Sequence, residues 1–81
     1  MARFLVRKLG STGDTRAAVA EQELAGYLKP ELERGYSVAL KAEETRFVGD
    51  DLELVMRLVQ GEVRNGVEEL EVLLIPPVAG G

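Results

Sequence analysis

The chain has no cysteine and no histidine among its 81 residues. Without cysteine it holds no disulfide, no thiolate nucleophile and no zinc–thiolate site of its own. Without histidine it lacks the usual near-neutral general base and the commonest metal ligand. Ser11, Ser37, Thr12, Thr15 and Thr45 therefore have no base of the common type to activate them. These absences argue against an independent enzyme with catalytic residues or a bound cofactor of its own. No apolar run approaches the roughly 18 residues that a membrane span needs. Met1–Val6 shows no basic region followed by a long apolar stretch. No signal peptide is read there, and the cytoplasm is the expected compartment. Basic residues are outnumbered, with 10 Lys plus Arg against 14 Asp plus Glu and a net charge of −4. That balance argues against nucleic acid as a partner and favours a basic protein.

What remains is a soluble globular composition, 46% hydrophobic and 30% charged, in a chain long enough for one modest core. Arg3–Leu9 alternates Phe4 and Val6 with Leu5 and Arg7, which predicts a strand inside a sheet rather than at its edge. Gly10–Asp14 breaks it. Gly10 and Gly13 lack the Lys-Ser/Thr that completes a phosphate loop, so a plain turn is expected. Ala17–Leu28 has helical spacing, yet Thr15–Ala20 also alternates and can pair with the first strand. Pro30 is expected to end that helix and open a short turn closed by Gly35. Tyr36–Ala42 alternates as a strand, and Thr45–Val48 follows as a shorter one. Over Asp51–Arg64 the residues Leu52, Val55, Met56, Val59 and Val63 make one apolar stripe, with Asp50 as the expected N-cap. Leu54 and Leu58 widen that stripe, either to fill the core or to offer a surface to a partner. Glu69–Ile75 is apolar on both faces, as a central strand would be, and Leu73 and Ile75 extend the candidate partner surface. Phe4, Tyr27, Tyr36 and Phe47 are expected to fill the core. Glu43-Glu44 and Asp50-Asp51 read as solvated corners and caps rather than metal ligands.

The ending is the most informative stretch. Pro76 and Pro77 stop strand pairing and set an extended backbone. Val78, Ala79, Gly80 and Gly81 then narrow to no side chain at all, a tip able to thread a channel and deliver a backbone carboxylate. One globular domain over residues 1–75 with a flexible diglycine tail over residues 76–81 is the expected organisation.

Leu73-Leu74-Ile75-Pro76-Pro77-Val78-Ala79-Gly80-Gly81 resembles the ending of the ubiquitin-like sulfur carriers, the family of the molybdopterin synthase small subunit and the thiamine-biosynthesis carrier. The resemblance implies a β-grasp fold within the α+β class, with helices on one face of a small sheet. It implies that Gly81 is adenylated by an activating enzyme, with ATP used by that enzyme, and converted to a thiocarboxylate. Gly80 with Pro76, Pro77, Val78 and Ala79 would form the segment inserted into the partner, either that enzyme or the molybdopterin synthase large subunit. The chain departs from the family pattern at Asp51–Arg64, where a helix is expected in place of a short strand and turns. If Thr15–Ala20 is helical, the order becomes the ferredoxin-like βαββαβ. The same tail would also serve a protein modifier conjugated to targets through Gly81, and a non-conjugating α+β binding module would leave it incidental.

Neither Gly80 nor Gly81 brings a side chain to bury. Deleting both should leave the urea midpoint of the domain nearly unchanged while abolishing transfer from the tail. Loss of folding in the deletion variant would show instead that the tail is structural.

Overall fold

A computed structural model of the chain describes residues 2–10 and 13–77. The element order is β1 (Arg3–Lys8), β2 (Thr15–Ala20), α1 (Glu21–Glu33), β3 (Ser37–Lys41), β4 (Thr45–Gly49), α2 (Leu52–Arg64) and β5 (Glu69–Ile75). The strands form one mixed five-stranded sheet in the order β2-β1-β5-β3-β4. β5 lies at its centre, parallel to β1 and antiparallel to β3. β2 and β4 pair antiparallel with β1 and β3 and form the two edges.

Alternation along the strands sorts the sheet into two faces. Phe4 and Val6 of β1 stand beside Leu70 and Val72 of β5, and Val38 and Leu40 of β3 stand beside Leu74 and Val72. All are buried, and they join Leu24 and Leu28 of α1 with Val55 and Val59 of α2 in one core. The helices therefore cover one face of the sheet. Burying a leucine such as Leu74 completely is worth about 1.5–3 kcal/mol relative to exposing it. Among the described residues, the opposite face carries no helix.

Several sequence expectations are corrected. Of the two readings open for Thr15–Ala20 the strand paired with β1 is the one found, so the helix begins at Glu21 rather than at Ala17. Val19 lies opposite Phe4 and is buried, which a strand achieves by pairing with β1. Pro30 does not end α1 but sits inside it. Its missing N–H leaves the carbonyl of Gly26 without its i+4 donor, and both residues are exposed, so that group faces solvent. The i, i+4 row Leu24, Leu28 and Leu32 holds the helix to the core across the proline. Gly35, at φ +98°, then turns the chain in the left-handed region that favours glycine.

The cap of α2 lies one residue later than expected. Asp51, not Asp50, accepts hydrogen bonds from the N–H groups of Glu53 at 3.0 Å and Leu54 at 3.3 Å. Glu53 is thereby too close to the cap to reach back as a capping-box residue, and it pairs instead with Arg57 at 3.3 Å. Two aromatic residues also miss the core. Phe4 is buried and Tyr36 packs against the core, but Tyr27 is 39% exposed and Phe47 66% exposed. Phe47 lies opposite Ala39 on the uncovered face, and a register shift between Val38 and Ala39 then returns Val48 to the core side. Among the described residues, no helix is long and apolar enough to cross a membrane.

Leu74→Ala should cost about 2–5 kcal/mol in urea unfolding, because the central strand cannot collapse into the space left. Phe47→Ser should stay within about 0.5 kcal/mol of wild type. Equal losses in the two variants would contradict the assignment of faces.

Candidate functional site at the root of the tail

The root of the tail is built by β5 and the segments beside its end. Ile75 pairs with Ser37 of β3, and Leu9 donates its N–H to the carbonyl of Leu74 at 2.9 Å. The last residues of β5 are thus held from both sides until Pro76, which has no N–H to give. Pro76 is half-buried and Pro77 exposed. The Pro77 ring lies over Gly35, where a Cβ would stand 3.5 Å from ring carbons. Gly35 thus supplies both the turn after α1 and a flat seat for the proline. Val78, Ala79, Gly80 and Gly81, which carry the expected chemistry, lie outside the described residues.

Beneath this root, on the helix side, is a charged cluster that the sequence reading missed. Lys8 Nζ lies 2.6 Å from Oε2 of Glu31, and Arg34 approaches Oε1 of the same carboxylate at 3.4 Å. Lys8 also stands 5.0 Å from the centre of the Tyr36 ring, within cation–π range. The Glu31 side chain is only 12% exposed. Its Oε2 meets Lys8 off the directions of a well-formed hydrogen bond, so the attraction is mainly one of charge. The contact with Glu31 raises the Lys8 pKa above the usual 10.5, outweighing the partial burial that lowers it. A signal was available. Lys8 continues the inward phase of Phe4 and Val6, and Glu31 follows Leu24 and Leu28 on the buried row of α1. Two opposite charges on two apolar phases mark a pair.

The four residues expected to form a partner surface do not come together. Leu54 is 39% exposed on α2, and Leu58 turns toward a cleft at the other end of the sheet. Leu73 and Ile75 lie on the uncovered face of β5. There Leu73 stands beside Ala39, and Ala39 beside Phe47, forming an apolar row across three strands. Arg7 lies opposite Leu73 and is bound by Asp14 through Nε at 2.9 Å, with Glu71 at 3.7 Å. Asp14 is the main cause of the raised Arg7 pKa.

Charge is unevenly divided between the faces. The strand residues of the uncovered face include Arg3, Arg7, Arg16 and Lys41 against Glu69 and Glu71, net +2 on a chain of net −4. The acidic excess therefore lies on the helices and turns. Asp51 is spent on capping α2, and no group of three or more acidic side chains close enough to hold a metal ion is found among the described residues. Comparison with family models, curated proteins and solved structures finds no match to this chain.

The raised Lys8 pKa fixes a direction for stability against pH. The ammonium form is favoured in the folded state, so its contribution is complete below about pH 10.5 and is lost as pH rises through the higher folded value. In urea titrations, the advantage of wild type over Lys8→Met should be flat up to that pH and shrink above it. A difference independent of pH would show that Lys8 acts through its stem alone.

Proposed function

We propose that the chain is a ubiquitin-like carrier of the sulfur-carrier type, with a β-grasp fold and Gly81 as the residue bearing the reactive carboxylate. The observation that carries this reading is the seat of β5. A strand held on both sides, parallel to β1 and antiparallel to β3, runs directly into Pro76-Pro77 and the small residues beyond. Such an anchor fixes where the tail starts and lets a partner hold the body while it draws in the tip. The strand order supports the β-grasp reading, and a strand at Thr15–Ala20 favours it over the ferredoxin-like order, which needs a helix there. Helix α2 is an addition to the family pattern on the covered face.

The chemistry assigned to the tail follows from its single reactive group. A carboxylate oxygen of Gly81 attacks the α-phosphorus of ATP held by the activating enzyme, and pyrophosphate leaves. Hydrosulfide sulfur from the partner system then attacks the acyl carbon of the adenylate, and AMP leaves. The product is a thiocarboxylate, which donates its sulfur to an acceptor bound by a second partner such as a molybdopterin synthase large subunit. The chain contributes positioning. Its prolines limit the freedom of the tail before capture, which lowers the entropy lost on insertion. The row Leu73, Ala39 and Phe47, on a face whose charged strand residues sum to +2, suits a partner surface with an apolar centre and an acidic rim.

Incubating the protein with a sulfur-carrier activating enzyme, ATP and a sulfide source should raise its intact mass by one oxygen-to-sulfur exchange located at Gly81. The deletion of Gly80-Gly81 should show no exchange. Gly81-dependent conjugates to other proteins, with no thiocarboxylate, would overturn this reading in favour of a modifier.

A further inference from the structure

At the end of the sheet opposite the tail, a cleft of about 450 Å³ opens between the β3–β4 turn, the last turns of α2 and the start of β5. That volume lies within the range of small-ligand sites. Its floor is apolar, made by Leu40, Leu58, Val67 and Leu70. Leu40 and Leu70 belong to the main core and are 5% and 2% exposed, so the apolar surface open to a ligand comes mainly from the half-buried Leu58 and Val67 above them. Leu58 reaches the cleft from the wide side of the α2 stripe, which gives the width of that stripe a use.

The rim is charged with one sign in excess. Glu43 and Glu44 stand on the β3–β4 turn and Glu62 on α2, with Arg46 as the one cation lining the cleft among the described residues. None of these four side chains takes part in an ion pair among the described residues. Three carboxylates against one cation, facing one apolar floor, reject anions and leave a neutral apolar molecule no charge to use. They complement a molecule that is apolar at one end and cationic at the other. We propose that this cleft binds a small organic cation, an ammonium or guanidinium group carried on an aromatic or branched aliphatic body. The body lies against Leu58 and Val67, and the cation stays at the rim near Glu43, Glu44 and Glu62. No covalent step is involved, and the site is independent of the sulfur-carrier reading because it lies at the far end from Pro76.

A backbone-amide NMR titration of the full chain with phenethylammonium tests this, with phenylethanol and phenylpropionate as neutral and anionic probes of similar body. Phenethylammonium should shift the amides of residues 40–46, 58–62 and 67–70 with about millimolar affinity, as expected for so small a molecule. The Glu43→Gln and Glu62→Gln double variant, checked for an unchanged unfolding midpoint, should bind roughly fivefold more weakly. Phenylethanol should bind the wild type more weakly by a similar factor. Equal binding of phenylethanol would reduce the cleft to apolar surface, and stronger binding of phenylpropionate would put Arg46 in control. Either result overturns the proposal, as does the absence of shifts in those segments.

Discussion

The two-sided pairing of β5 is the constraint on which the rest of the structure depends. Its inward residues Leu70, Val72 and Leu74 meet Phe4 and Val6 on one side and Val38 and Leu40 on the other. Those pairs make the floor on which α1 and α2 lie. Remove β5, and the β1–β2 hairpin and the β3–β4 hairpin lose the neighbour they share in the sheet. Since β5 also follows the other four strands in sequence, the sheet can be complete only after the whole domain is present. The strand that closes the fold is the strand that leads into the tail.

The uncovered face and the root of the tail follow from that placement. Inward and outward positions alternate along β5, so burying Leu70, Val72 and Leu74 sends Leu73 and Ile75 to the open face. The charged strand residues of that face sum to +2, although the chain as a whole is negative. Net charge alone thus describes the helices and turns and misses the uncovered face of the sheet. The Lys8, Glu31 and Arg34 cluster sits where β1, the end of α1 and the tail root converge. It ties the turn carrying Gly35, and hence the seat of Pro77, to a strand of the core.

Much of this was legible in the sequence wherever one periodicity dominated. Phe4 with Val6, Val38 with Leu40, and Leu70 with Val72 and Leu74 announced three strands, and Val55 with Val59 announced α2. Apolar residues on both faces of Glu69–Ile75 correctly marked a central strand. The open and the failed expectations have physical causes. Thr15–Ala20 is short and alanine-rich, so its alternation competes with a helical reading until pairing with β1 decides it. Pro30 reads as a terminator because its cost is local, whereas the leucine row that offsets it spans the helix. Phe47 reads as a core residue because a register shift reverses the phase of its strand midway, and that shift belongs to the pairing rather than to the segment. Of the candidate site, the two prolines were legible as a break from the sheet. The acidic-rimmed cleft was not, because residues 40–46, 58–62 and 67–70 meet only in the fold.

Paired on both sides, β5 should be the last element to yield and the anchor of the residues that follow it. Native-state hydrogen exchange tests it directly. The amides of Leu70–Leu74 should exchange only through global unfolding, with the same dependence on urea as the whole domain. Amides of the edge strands β2 and β4 should open at lower free energy. If the amides of β5 exchange by local opening more readily than those of the edges, the strand is not the anchor, and the claim is contradicted.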